Sequence, residues 1–287
     1  MKETSMAQQP LFKTAAGKPV TSDDLRAALE HVQAHDCQVL YMHTGLSFGL
    51  PNPELRREEL LDAIYQTVRS LKVPTLCVPT FTFSFCNGED YDSARSRSRM
   101  GTLNEFIRRQ PETIRSVDPL MSVAVVGEDH DLAENLGHES IGANSTFDKL
   151  SRRKGVKFLF LGVGLGDCFT YMHYLEWAAG VPYRYDRKFT GRITHAGKTY
   201  EDTYGLFVRY HNVKPNAASY TYEQLLMNRG LLRVAAVGDS FVRCVGEAEA
   251  RAVYDGLLRQ DPNYFIEHPF RPEDADRTFL AKNMVAL

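Results

Sequence analysis

Long apolar runs, low-complexity tracts and internal repeats are absent from this sequence. Its longest apolar stretches, such as residues 158–166, fall far short of a bilayer span, and residues 1–10 lack the apolar core of a secretory signal. Of the 287 residues, 43% are hydrophobic and 24% are charged, enough to bury a sizeable core. This composition excludes a disordered, collagen-like or coiled-coil protein. We expect a cytoplasmic protein with no transmembrane segment.

The sequence also lacks an excess of either charge and any cluster of cysteines. Thirty-four Lys and Arg stand against thirty-six Asp and Glu, whereas nucleic-acid binders usually carry a basic excess. The five cysteines form no Cys-x-x-Cys or Cys/His cluster, so we expect reduced thiols and no metal site. Cys168 and His173 would lie on different faces of a helix, which disfavours a Cys–His nucleophile. A small molecule is the expected partner, and a homo-oligomer stays open.

Helical and strand-like patterns alternate along the chain, which predicts an α/β fold. Strands are predicted at 38–42, 75–80, 122–126 and 156–161, with a hairpin around 196–197. Helices are predicted to begin at 21–22 and after Pro53, and to span 103–109, 168–179, 221–229 and 247–260. No shift in composition forces a domain boundary, so residues 1–287 are expected to form one domain, with 1–18 flexible.

Three glycines, Gly162, Gly164 and Gly166, separate the strand 156–161 from the helix after it. Their GxGxG spacing differs from the GxGxxG of dinucleotide-binding proteins, so a tight strand-to-helix turn is the favoured interpretation. His173 and Glu176 follow, three residues apart on one helix face and near the carboxyl end of a strand, where α/β folds place ligands. A histidine beside a carboxylate is a common general-base arrangement, although histidines on helices are frequently structural.

Four ordered blocks resemble the aminoglycoside 3-N-acetyltransferase family. Residues 43–47 are similar to the family's HSSLS loop, 98–108 to SxMGxLxExFR, 111–124 to RSxHPxxSxAA, and 161–176 to LGVGxDxNTxLHxAE. The resemblance spans about residues 20–190 and is diffuse beyond. It implies a three-layer α/β/α sandwich and an enzyme that transfers an acetyl group from acetyl-CoA to a substrate amine.

The chain departs from the family pattern in several places. Asp118 stands where the family usually has His, Phe169 replaces an Asn, and one residue is inserted in the glycine turn. With residues 173–176 and 180–185, Asp118 resembles a branch of surface-polysaccharide biosynthesis enzymes. That branch implies an amino-sugar acceptor, nucleotide- or lipid-linked. An aminoglycoside acceptor, another acyl thioester donor and a non-catalytic CoA-binding module remain as alternatives.

The resemblance also implies roles for individual residues. His173 is the expected general base, because it titrates near neutral pH, and Glu176 or Asp118 would orient it or hold the substrate ammonium. Backbone N–H groups of residues 44–47 are expected to cradle the CoA pyrophosphate. The residues expected to bind CoA are His43, Thr44, Gly45, Ser47, Ser98, Met100, Arg115 and Ser122. Those expected to bind the acceptor are Asp167, Thr170, Tyr183, Arg184, Tyr185 and Tyr204.

Overall fold

The protein is described over residues 10–280 in a computed structural model. Its helices are α1 (Ser22–His31), α2 (Arg57–Arg69), α3 (Thr102–Arg108), α4 (Thr146–Arg152), α5 (Leu165–Cys168), α6 (Tyr171–Ala179), α7 (Ala218–Asn228) and α8 (Glu247–Gln260). Its strands are β1 (Pro10–Lys13), β2 (Pro19–Thr21), β3 (Val39–Thr44), β4 (Leu50–Pro51), β5 (Thr75–Pro79), β6 (Tyr91–Asp92), β7 (Ile114–Arg115), β8 (Val123–Gly127), β9 (Val156–Leu161), β10 (Arg184–His195), β11 (Lys198–Arg209), β12 (Arg233–Val237) and β13 (Ser240–Gly246).

A seven-stranded mixed sheet, in the order β12-β13-β9-β3-β5-β8-β7, forms the middle layer. Strand β3 runs parallel to both β9 and β5, and its side chains alternate between two separate cores. Tyr41 belongs to the core that contains residues of α4, α6 and α8, whereas Leu40 belongs to the core that contains residues of α1, α2 and α3. Helices therefore cover both faces of the sheet, and the predicted three-layer sandwich is confirmed.

The predicted strands and most predicted helices are present, and their termini follow local chemistry. Thr21 caps α1: its Oγ1 accepts from Asp24 N at 3.2 Å, while the Asp24 carboxylate accepts from Thr21 N at 2.8 Å. Helix α6 is capped after Ala179 by Gly180, whose φ of 65° lies in the left-handed region that glycine adopts without strain.

The prediction of one continuous helix over 168–179 is wrong at its start. Phe169, with φ −71° and ψ 76°, ends α5, and α6 begins two residues later at Tyr171. The Phe169 ring is buried and lies 5.0 Å from that of Phe158 and 6.2 Å from that of Tyr222, centroid to centroid. The helix is thus interrupted at the residue whose ring packs into the core.

Helix α8 is joined to α6 by a buried polar cluster, which we call the Glu247 cluster. The Tyr171 hydroxyl and the Arg251 guanidinium both donate to Oε1 of Glu247, the latter through Nε at 2.6 Å. Arg251 Nη2 also donates to the Tyr171 hydroxyl at 2.9 Å. These hydrogen bonds connect α6 to α8. They also pair the buried Glu247 carboxylate, which would destabilise the core if it had no partner.

The hairpin β10–β11 pairs twelve residues on each strand and turns at Ala196–Gly197, as predicted. The segment expected to be flexible includes β1, which pairs with β2 and β4, while residues 1–9 lie outside the described residues. Strands β12 and β13 were not predicted. Within residues 10–280 no helix is long and apolar enough to cross a bilayer. Whether the chain forms one domain stays a prediction.

Candidate active site

His173 and Glu176 lie together on α6, as their spacing predicts. His173 Nδ1 is 3.1 Å from Glu176 Oε2, and the two residues are 6% and 2% exposed. Glu176 also accepts from the Tyr183 hydroxyl at 2.8 Å and pairs with Arg184 Nε at 2.8 Å. Arg184 reaches the histidine as well, with Nη2 2.8 Å from His173 Nδ1. The four side chains form one buried polar cluster at the start of β10.

The charges of this cluster set both pKa values. Burial raises the pKa of Glu176 on its own, but the Arg184 charge and the hydrogen bonds from His173 and Tyr183 outweigh it and lower that pKa to about 2. Burial, and after it the Arg184 charge, lowers the pKa of His173 to about 4. At neutral pH the site therefore contains a carboxylate, a guanidinium and a neutral imidazole.

The contacts at Nδ1 leave the other ring nitrogen of His173 available. Nδ1 stands between the Glu176 carboxylate and the Arg184 guanidinium, and Nε2 has no hydrogen-bond partner among the described residues. When Nδ1–H donates to Glu176, Nε2 holds a lone pair, which is the form that a base requires. Glu176 favours this tautomer, while Arg184 favours the opposite one, so their balance sets the basicity of Nε2.

His173, Arg184 and Arg209 line two cavities and stand between them. The first, which we call the hairpin cavity, is bounded by residues 206–211 of β11 and its exit and is open to solvent. The second, the α5 cavity, is bounded by residues 166–170 and by Ser219 and Tyr220 and is also open to solvent. Reactants that enter from the two sides would meet at His173.

Arg209 is the site residue that the sequence analysis missed. It lies directly opposite Arg184 in the β10–β11 register and lines both cavities. A lone arginine in a strand belongs to no motif. The predicted turn at Ala196–Gly197 could have identified it. A hairpin that turns there and continues for twelve residue pairs places residue 209 directly opposite residue 184.

Only some of the residues predicted to bind the acceptor line the two cavities. Tyr185 and Tyr204 line neither cavity: the Tyr185 ring packs 4.7 Å from that of Tyr210, and the Tyr204 ring 4.8 Å from that of His138. Tyr183 is buried beneath Glu176. Those that line the α5 cavity are Asp167, Thr170 and Arg184.

Asp118 is held in a turn of its own. Its Oδ1 accepts from Leu120 N at 2.8 Å, Met121 N at 2.9 Å and the Ser140 hydroxyl at 2.8 Å. Burial raises the pKa of this carboxyl, in spite of those hydrogen bonds. No described hydrogen bond or ion pair joins Asp118 to His173 or Glu176, so the structure does not bring the three predicted catalytic residues together.

The loop at residues 44–47 packs tightly against the glycine turn. A Cβ on Gly162, whose φ is 72°, would lie 2.9 Å from both Leu46 N and Ser47 N, so this position requires glycine. The N–H groups of Gly45 and Leu46 both point to Leu161 O, at 2.9 and 3.4 Å. Two of the N–H groups expected to cradle a pyrophosphate are therefore already bonded within the chain.

A third, shallow groove begins at this loop. Ser47, Gly164, Asp167 and Tyr220 are among its lining residues, and the last two also line the α5 cavity. The Tyr220 hydroxyl donates to Asp167 Oδ1 at 2.8 Å where the two spaces meet. The groove thus leads from the 44–47 loop towards His173.

The other residues predicted to bind CoA are buried or partly buried and are held by contacts within the chain. Arg115 donates to Thr80 O at 2.9 Å and to Ser96 O at 2.5 Å, and Ser122 Oγ also donates to Thr80 O, at 2.8 Å. His43 stacks on Phe160 with 5.4 Å between centroids, and burial lowers its pKa to about 3. The remaining contacts are Thr44 Oγ1 to Asn104 Oδ1 at 2.9 Å and Met100 N to Ser98 Oγ at 3.1 Å. None of these side chains lines the two cavities at His173.

The cysteines show no sign of an activated nucleophile. All five cysteines are free thiols, and burial raises the pKa of Cys168, whose Sγ lies 3.3 Å from Gly164 O. This thiol therefore stays protonated and is a poor nucleophile. Over residues 10–280, no group of three or more His, Cys, Asp or Glu side chains is arranged to hold a metal ion.

The buried histidine and its charged partners, between two open cavities of a three-layer α/β/α fold, form the candidate active site of an enzyme that acts on small molecules. Residues 56–258 match the aminoglycoside 3-N-acetyltransferase family, and the chain belongs to that family. It is accordingly a CoA-dependent acetyltransferase, with acetyl-CoA as co-substrate, as the sequence resemblance implied. The match extends well past residue 190, where the resemblance became diffuse.

Solved structures of related enzymes share the fold. The aminoglycoside acetyltransferase AAC(3)-Xa superposes with a TM-score of 0.71 and 20% identity, covering 84% of this chain and 93% of its own. AAC-IIIb in a binary complex with CoASH gives 0.70 and 19%, covering 87% and 99%. AAC-VIa bound to sisomicin gives 0.70 and 18%, covering 85% and 98%. No curated protein sequence matches the chain.

Proposed function

We propose that the protein transfers the acetyl group of acetyl-CoA to the amine of an amino sugar, by direct attack and with His173 as general base. The observation that carries this proposal is the His173 imidazole, fixed through Nδ1 and with Nε2 unpartnered among the described residues. In the tautomer whose Nδ1–H donates to Glu176, Nε2 is unprotonated and lies between two open cavities, which is the arrangement that a general base requires. A non-catalytic module, the alternative, would not need a histidine positioned in this way.

The reaction balances with these residues alone. The neutral amine nitrogen uses its lone pair to form the N–C bond to the thioester carbonyl carbon, and its pKa falls as it becomes positive. His173 Nε2 then takes the proton, the C–S bond breaks, and the proton passes to the leaving sulfur, which departs as a thiol. No acyl-enzyme is needed, which is consistent with the unreactive thiol of Cys168.

Glu176 and Arg184 have opposite effects on this proton transfer. When Nε2 accepts a proton, the imidazolium is attracted by Glu176 and repelled by Arg184, both bonded near Nδ1. A pKa of about 4 keeps the imidazole neutral and ready at pH 7. That basicity is sufficient because the amine has already become strongly acidic when the proton leaves it.

The donor is proposed to follow the groove that begins at the 44–47 loop. Ser47 Oγ lies 3.0 Å from Ser240 Oγ, and Arg243 lines the same groove, ion paired with Glu223 at 3.0 Å. These groups would bind the phosphate end of CoA, and the acyl end would enter the α5 cavity past Asp167 and Tyr220. Acetyl-CoA supplies the activated acyl group.

The acceptor is proposed to be an amino sugar made by the cell and attached to a nucleotide or lipid carrier. This part rests on the resemblance around Asp118 and residues 180–185. An aminoglycoside acceptor is the second candidate, because the related AAC-VIa structure contains sisomicin. Cytoplasmic location and self-association stay predictions.

A thiol-release assay tests the proposal. Acetyl-CoA is mixed with a panel of amino sugars, their nucleotide-linked forms and aminoglycosides, and the wild-type protein is compared with His173→Ala. We expect a loss of about 10²–10⁴-fold in kcat with CoA affinity by calorimetry unchanged. His35→Ala, at an exposed histidine that lines neither cavity, is the matched control. Near-normal turnover of His173→Ala between pH 6 and 9 would refute the assigned base.

A further inference from the structure

The β10–β11 hairpin sets two arginines side by side. Arg184 and Arg209 are direct cross-strand partners, so their side chains leave the hairpin on the same face. Like charges at opposed positions destabilise a sheet. Burial and the Arg184 charge lower the pKa of Arg209, in line with this repulsion. The pair therefore costs stability in the isolated protein.

Only one member of the pair has its charge compensated within residues 10–280. Arg184 is ion paired with Glu176 at 2.8 Å and donates to Phe207 O at 3.2 Å. The guanidinium of half-buried Arg209 makes no ion pair or hydrogen bond to a described residue. An arginine that is partly withdrawn from water and unpaired favours an anionic ligand.

The residues that line the hairpin cavity also suit an anionic ligand. Arg184, Arg209, His173 and His211 line it, and no Asp or Glu is among its described lining residues. Its remaining wall is largely apolar and includes Val213 and Phe279. A polycationic ligand would meet only positive or neutral groups there, whereas an anion would meet two guanidinium groups.

We infer that Arg209 binds an acid group of the acceptor, so that the amine substrate is an amino sugar bearing a phosphate or a carboxylate, seated in the hairpin cavity. This inference rests on the proposed function. The CoA pyrophosphate is excluded as the anion, because the pantetheine arm separates it from the thioester that reacts at His173. The cationic surroundings also favour the neutral form of the acceptor amine, which is the nucleophilic form.

Binding experiments test the inference without relying on turnover. Enzyme saturated with CoA, so that the phosphate contacts of the donor are occupied, is titrated by calorimetry with inorganic phosphate, glucosamine 6-phosphate, an amino-sugar uronate and glucosamine. We expect at least one anionic sugar to bind more tightly than glucosamine, and Arg209→Gln to weaken it about 10- to 100-fold. Arg209→Lys should retain part of the affinity. Arg192→Gln, at an exposed arginine on the same hairpin, should bind as the wild type.

Kinetics separate the possible failures. A KM increase in Arg209→Gln confined to the anionic acceptors supports the inference, whereas an equal kcat loss for neutral and anionic acceptors would overturn it and place Arg209 on the reacting thioester. Anion affinities that Arg209→Gln leaves unchanged would also overturn it. Arg209-dependent anion binding without acetyl transfer to any amine would refute the proposed function and leave the anion site standing.

Discussion

Replacing Glu176 by glutamine separates the electrostatic role of this residue from its shape. The substitution keeps the size and an acceptor oxygen for Tyr183, but it removes the charge that compensates Arg184. Breaking a buried ion pair from one side leaves the other charge uncompensated. We therefore expect both stability and proton transfer to suffer.

The expected loss of stability follows from the pKa of the Glu176 carboxyl. Folding lowers it from an ordinary 4.5 to about 2, so the contribution to stability is fully present above pH 4.5 and is lost as the pH falls towards 2. That difference corresponds to about 3 kcal/mol at pH 7, close to the roughly 3–5 kcal/mol seen when buried pairs are broken. Glu176→Gln should lose about this much free energy of unfolding.

The Glu247 cluster offers a matched control. Glu247 is also buried and also accepts from a tyrosine, Tyr171, and an arginine, Arg251, but this cluster contains no histidine. We expect Glu247→Gln to lose stability in denaturant unfolding, because it also breaks a partly buried ion pair, and to keep its kcat. Glu176→Gln should lose about 10²-fold or more in kcat, measured well below its melting temperature. Equal kcat losses in the two variants would show that Glu176 has no role beyond stability.

Three further predictions concern acid, Asp118 and metals. Because folding lowers the pKa of His173 from 6.5 to about 4, unfolding free energy should fall by about 3 kcal/mol as the pH drops across that range, and His173→Asn should flatten the decline in pH-dependent denaturant titrations. Asp118→Asn should keep kcat, because an amide oxygen can still accept from Leu120 N and Met121 N; a lower kcat would place Asp118 in proton transfer. Dialysis against EDTA should leave turnover unchanged, and recovery of lost activity with zinc or magnesium would contradict this.

Local signals predict much of the architecture. The capping box at Thr21 and Asp24, the buried strand at 156–161 and the hairpin turn at 196–197 each depend on neighbours in the chain, and each is where the sequence predicts it. Strands β12 and β13 were missed: β12 pairs only with β13, across the short turn at 238–239, and β13 is held in the sheet by β9, a segment distant in the sequence.

The site likewise combines contacts between sequence neighbours with contacts between distant segments. The contact between His173 and Glu176 could be predicted because three residues on a helix suffice to create it. Arg184 and Arg209 join them only through the long hairpin, and Asp118 is held by a turn that its own neighbours form. Blocks shared with a family locate a framework, whereas the charges at the reacting atoms depend on which distant side chains the fold assembles.

The Glu247 cluster has a consequence for how this catalytic site could arise or be lost. One Tyr–Glu–Arg arrangement joins α6 to α8 without a histidine, and the other, with Tyr183, Glu176 and Arg184, surrounds His173. Such an arrangement is therefore a structural unit in its own right, and the proposed base, His173, is a single addition to it. Loss of that one histidine would lower turnover while leaving the contacts of Glu176 with Tyr183 and Arg184 in place, so the framework of the site does not depend on its catalytic use.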